Sequence, residues 1–144
     1  MKKTLGYLSL ATFILGALFF GSTLVAKNEL MAFHPKIGKS VYFLLEKSGR
    51  SFTKAGIPIL VIMKETADLS TVDATLTKDV KGQQVYQLLT TTANTSQVAI
   101  RAFLTEKKVA FRPFWIVNMV VLEKADAKLI SELAAREDVA SIVG

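Results

Sequence analysis

Phe114-Trp115-Ile116-Val117-Asn118-Met119-Val120-Val121-Leu122 reads as a β-strand in which one amide interrupts eight apolar side chains. Alternation places Trp115, Val117, Met119 and Val121 on one face, and Phe114, Ile116, Asn118, Val120 and Leu122 on the other. In a two-layer protein one sheet face is covered by helices and the other turns polar. Here both faces are apolar. Such a strand is either doubly buried in a larger or oligomeric protein, or part of a sheet that docks on a partner, because extended exposed apolar patches mark interaction sites. A domain of about 88 residues has little chain with which to cover a second face, which favours docking. The side carrying Phe114, Ile116, Asn118, Val120 and Leu122 is the expected docking face, since a lone amide is tolerated better at an interface than in a core.

Outward from this strand the periodicity alternates between two types. Ile57–Glu65 is a short β-branched run, hence a strand, and Thr66–Lys78 is polar and turn-like. Val85, Leu88, Leu89, Thr92, Ser96, Ala99, Ile100 and Phe103 recur at steps of three and four, the stripe of a helix with Asp79 as N-cap. The Thr90–Ser96 stretch is a poor helix former and predicts a kink. Lys107-Lys108 ends that helix, Val109–Arg112 reads as a short strand, and Pro113 separates it from the central one. Asp126 caps a second helix striped by Leu129, Ile130, Leu133 and Ala134, and Val139–Val143 closes the chain as a strand. Strand, helix, strand, strand, helix, strand is the split βαβ order. It predicts an α+β ferredoxin-like sandwich, an antiparallel sheet with two helices on one face.

Ahead of this domain, expected over 57–144, stand two further segments. Lys2 and Lys3 precede 23 residues without a charge, Thr4–Ala26. Residues 1–26 therefore read as a hydrophobic helix serving as a signal peptide or a membrane anchor, and the protein as exported, secreted or held at the cell envelope. Both readings stay open, because no clean small-residue cleavage site appears and the flanking lysines are balanced. Residues 27–56, with recurrent Lys, Ser and Gly and with Pro35, read as a basic linker.

Charge excludes one class of partner. Residues 1–56 hold eight Lys/Arg and two Asp/Glu, the whole net +6; out of totals of 18 and 12, that leaves ten of each for residues 57–144. A nucleic-acid binder concentrates its cations on the folded domain, and this domain is neutral. No cysteine is present, so a thiol nucleophile, a disulfide framework and Cys-ligated zinc are ruled out. His34, the sole histidine, lies in the linker beside Pro35 with no partner for nucleophilic catalysis. The chain reads as non-catalytic, without cofactor or metal. An acylphosphatase-type activity would need a Gly-rich loop with an Arg before the first helix. Residues 66–80 contain neither.

Several stretches resemble the propeptides of bacterial subtilisin-like serine proteases, the peptidase inhibitor nine family. They are Lys81-Gly82-Gln83-Gln84-Val85-Tyr86, Ala93-Asn94 and Arg101-Ala102-Phe103-Leu104, then Phe111-Arg112-Pro113-Phe114-Trp115-Ile116-Val117-Asn118 and Leu133-Ala134-Ala135-Arg136-Glu137-Asp138-Val139-Ala140. The resemblance spans about residues 57–144. It implies a ferredoxin-like domain whose sheet packs on two helices of the protease, and whose C-terminal segment lies in the active-site cleft. Such a domain inhibits the protease and templates its folding. On this sequence the resemblance implies that Phe114–Leu122 belongs to the docking sheet, and that Ser141, Ile142, Val143 and Gly144 lead towards the cleft of a catalytic domain, in cis or in trans. The family continues beyond that strand into a polar tail, whereas this chain ends at Gly144. The competing expectation is a membrane-anchored adaptor that uses the same fold for another protein partner.

Overall fold

The computed structural model describes residues 33–48 and 56–144. The expected hydrophobic helix of residues 1–26, with its signal or anchor role, lies outside the described residues.

The described chain is α+β, built on a four-stranded antiparallel sheet. Its elements are α1 (Lys39–Lys47), β1 (Ile57–Met63), a 3-10 turn (Leu69–Thr71), α2 (Lys78–Ser96), α3 (Val98–Glu106), β2 (Arg112–Phe114), β3 (Met119–Ala125), α4 (Ala127–Ala134) and β4 (Val139–Val143). The strands are ordered β2-β3-β1-β4. Two prolines sit where a missing N–H costs little: Pro113 on the edge strand β2, and Pro58 where the β1–β3 register shifts between Ile57 and Ile59.

Burial alternates along β1, so that Ile57, Ile59, Val61 and Met63 point into the core. Val120 and Leu122 of β3 and Val139 and Ile142 of β4 join them, covered by Ile100 and Leu104 of α3 and by Leu129, Ile130 and Leu133 of α4. The α4 stripe is the expected one, and Asp126 caps it as expected, its Oδ1 accepting from Leu129 N at 2.7 Å.

The long helical stripe breaks where its composition fails. Thr90, Thr95 and Ser96 return their hydroxyls to the carbonyls of Tyr86, Thr91 and Thr92, a local bonding habit that bends helices. The helix is interrupted one residue later, at Gln97. At its start the N-cap is Thr77, and Asp79 lies in the first turn, where its charge still favours the helix dipole. At its far end Lys108 adopts φ 56°, a left-handed stop, and Val109 N reaches back to Leu104 O at 2.9 Å.

Three further expectations are corrected. The strand expected over Phe114–Leu122 is two strands joined by a turn at residues 115–118, with Asn118 at φ 43°. Asparagine tolerates that left-handed conformation better than the β-branched residues around it, so it is where the run can reverse. The short strand expected over Val109–Arg112 begins only at Arg112. Part of the expected linker is structured: Ile37, Val41 and Leu45 are buried in the core, and residues 36–38 run alongside β4. Gly38 N donates to Ile142 O and Ile142 N to Lys36 O, both at 2.7 Å, which closes the outer edge of β4.

Candidate functional site

Strand register sorts the apolar residues into two faces. On the core side Ile59 pairs with Leu122, and Val61 with Val120 and Ile142. On the outer side Val143, Leu60, Val121 and Arg112 form one cross-strand row, and Ser141, Ile62, Met119 and Phe114 form the next. Leu60, Ile62, Met119, Val121 and Val143 are half-buried and stand outside the core cluster. An apolar second face is therefore real, as the sequence suggests, but its residues are largely others. Among the expected docking residues Val120 and Leu122 lie fully buried in the core, Asn118 is buried in the turn, and Ile116 projects from it. Only Phe114 lies on the outer face, with the Arg112 guanidinium 5.8 Å from its ring.

The break in the strand explains this scatter. Parity along an unbroken strand would keep residues 114 to 122 in step, and the turn at 115–118 resets it. The C-terminal set is likewise divided. Ser141 and Val143 face outward, Ile142 is buried, and Gly144 is exposed, its N–H donating to Ser40 Oγ at 3.3 Å. Gly144 lies beside α1, where a Cβ would stand 2.8 Å from the mobile end of the Leu44 side chain.

The turn is anchored by side chains that sequence periodicity does not single out. Gln97 is fully buried, and its Nε2 donates to Phe114 O at 2.9 Å and to Asn118 Oδ1 at 2.8 Å. Its Oε1 accepts from Arg101 Nε and Nη2 at 3.1 and 2.8 Å. Asn118 Nδ2 donates to Glu65 O at 2.7 Å and Ser96 Oγ at 3.0 Å, and Asn118 O accepts from Met63 N. The one available signal was a polar residue four positions after Ala93 and three before Ile100, inside an otherwise apolar stripe. Above this network Ile116 and Val117 are exposed, and Trp115 meets Tyr86 edge-on with ring centroids 5.0 Å apart.

Several titratable residues are engaged in local structure. The Ser70 hydroxyl and N–H hold the Asp68 carboxyl below its ordinary range, and the Thr75 N–H and hydroxyl do the same for Asp73. His34 Nδ1 accepts from the backbone N–H of Lys36, and the backbone N–H of His34 donates to the Tyr42 hydroxyl at 2.7 Å. Arg136 grips Asp138 through two bonds of 2.8 and 2.6 Å. A surface depression lined by Thr71, Gln84, Gln87, Leu88 and Thr91 offers hydroxyls and amides, without an acid or base among those residues. Among the described residues no three His, Cys, Asp or Glu converge on a possible metal position, and no helix is long and apolar enough to cross a membrane. No family model, curated protein or solved structure matches the chain.

Proposed function

We propose that this domain is a propeptide-type inhibitor and folding chaperone of a subtilisin-like serine protease, docking by the outer face of its sheet. The element order with strands β2-β3-β1-β4 supports a ferredoxin-like sandwich, the fold that the propeptide resemblance implies. The observation that carries the reading is the outer face: Leu60, Ile62, Met119, Val121 and Val143 form a contiguous apolar patch across three strands, bordered by Phe114 and Arg112. Burying such a patch on two helices of a catalytic domain supplies affinity, and the rigid sheet offers a preformed surface on which that domain orders. The β4 edge is occupied by residues 36–38, so Ser141–Gly144 would approach the cleft end-on rather than by strand addition along β4.

The test is titration of the full chain against a panel of subtilisin-like proteases, following hydrolysis of a peptide substrate and recovery of activity during refolding. Slowed hydrolysis and assisted refolding, both lost in Val121→Asp, are expected. A panel in which no protease is slowed and none refolds better overturns the proposal.

A further inference from the structure

Between Lys81 and Arg101 the chain carries no charged residue for 19 positions, Gly82–Ile100, although the rest of residues 57–144 is charged at more than one position in four. This stretch makes up most of α2, and on its outward side Gln83, Tyr86, Gln87, Thr91, Asn94 and Thr95 are exposed. Exposed helix faces ordinarily carry Lys and Glu, which favour the helix more than Thr or Asn do. Here amides and hydroxyls take their place, at a cost in helix propensity. Thr95 returns its hydroxyl to the helix backbone, but the side-chain amides of Gln83, Gln87 and Asn94 have no partner among the described residues.

The face also has relief. Thr71 of the 3-10 turn, with Gln84, Gln87, Leu88 and Thr91 of α2, lines an open depression of about 370 Å³, a volume within the range of small-ligand sites. Two amides and two hydroxyls there surround a single aliphatic side chain. Gln83, Gln87, Thr91 and Asn94 follow one another at steps of three and four, so hydrogen-bonding groups continue along the helix for about 16 Å. Tyr86, 54% exposed and met by Trp115 at an interplanar angle of 81°, borders this run one helical turn from Gln83 and Thr90.

We propose that this face of α2 is a binding site for a neutral glycan. The groups it presents hydrogen-bond without charge: a carboxamide both donates and accepts, and so does a hydroxyl, which matches a ligand built of hydroxyls. The Tyr86 ring adds apolar surface on which the C–H side of a sugar can lie. Other ligand classes find no counterpart here. A phosphate, a nucleic acid or an acidic peptide would meet no cation on the face, and Lys81, the nearest in sequence, gives its ammonium to Ala74 O at 2.9 Å. An apolar segment would strand the amides, with only Leu88 to gain from burial in the depression. The proposal is independent of the protease reading, because none of these residues lies on the outer face of the sheet.

The full chain, held in a detergent without a sugar headgroup, would be titrated with cellohexaose, with chitohexaose and with a heparin hexasaccharide. Proton–nitrogen NMR would follow the side-chain amides of Gln83, Gln84, Gln87 and Asn94. The neutral oligosaccharides should shift these signals saturably, with a Kd of about 1 mM or tighter, and the anionic one should not. Binding of only one neutral sugar also supports the site and gives its preference. Gln87→Glu replaces a donor by a charge at constant shape, and Thr91→Val removes a hydroxyl in the same way. Each should weaken binding at least about tenfold while the backbone spectrum stays that of the parent. Three results overturn the proposal: neither neutral oligosaccharide shifts the signals, both variants bind like the parent, or the heparin fragment binds as tightly as the neutral sugars.

Discussion

Gln97 Nε2 donates to Asn118 Oδ1 at 2.8 Å, joining a helix break to a strand reversal across 21 residues of sequence. Both side chains are buried, and every polar atom of the pair has a partner. The positive φ of Asn118 and the interruption of the helix at Gln97 are two halves of one device. It lets a run of apolar residues change direction without leaving buried amides unsatisfied.

Gln97→Ala removes the donor to Phe114 O and Asn118 Oδ1 and the acceptor of Arg101. Stranding those groups should cost about 2–3 kcal/mol, read as a lower urea midpoint with an unchanged slope. Asn118→Gly keeps the left-handed turn and loses only the amide, so it should cost less than Asn118→Val, which also strains φ.

Val120 and Val121 are neighbours in sequence on opposite faces of the sheet. Val120→Asp places a carboxylate in the core and should cost about 4 kcal/mol or more, unfolding a marginal domain in a thermal melt. Val121→Asp should cost about 1 kcal/mol, retain the native circular dichroism spectrum, and abolish inhibition of a susceptible protease. Ile116→Asp, on the exposed turn, should leave both stability and inhibition near the parent values.

Removing residues 1–56 deletes Ile37, Val41 and Leu45 from the core and frees the outer edge of β4. At about 1.5–3 kcal/mol for each buried side chain, the loss is comparable to the whole stability of a small domain. A fragment of residues 57–144 should therefore give collapsed amide dispersion in a proton–nitrogen correlation spectrum, and a fragment of residues 33–144 a dispersed one.

The Asp68 carboxyl is lowered from 3.8 first by the Ser70 hydroxyl and then by the Ser70 N–H. A depressed carboxyl stabilises the fold above its unfolded pKa, and that contribution is lost as pH falls through the lower folded value. The loss thus lies below pH 3.8, and stability near neutrality is insensitive to this group. A carboxyl-carbon NMR titration should show Asp68 and Asp73 both titrating below 3.8, with Ser70→Ala raising Asp68 and leaving Asp73 in place.

Much of the architecture was legible from short-range pattern. The α4 stripe and its Asp126 cap, the β-branched β1 run, the Thr-rich kink and the Lys107-Lys108 stop each depend on residues within a turn or two of one another. The reading failed where pattern carries no parity. In Phe114–Leu122 every side chain but one is apolar, so alternation could not reveal a turn inside the run or tell core from surface. Residues 37–45 failed for another reason. Lys36, Lys39 and Lys47 make the stretch look like a solvated connector, while Ile37, Val41 and Leu45, at steps of four, supply a narrow apolar edge to the core.

By itself, then, the sequence determined the alternation of strand-forming and helix-forming segments from β1 to β4, and the presence of more apolar strand surface than one core can use. Those properties are set by local propensity and composition. Only the tertiary structure decided which apolar residues are core and which are outer face, because that choice is made by cross-strand register: Leu60 opposite Val121 and Val143, and Val61 opposite Val120 and Ile142. Register depends in turn on where the chain reverses. That point is held by Gln97 and Asn118, two amides brought together by folding.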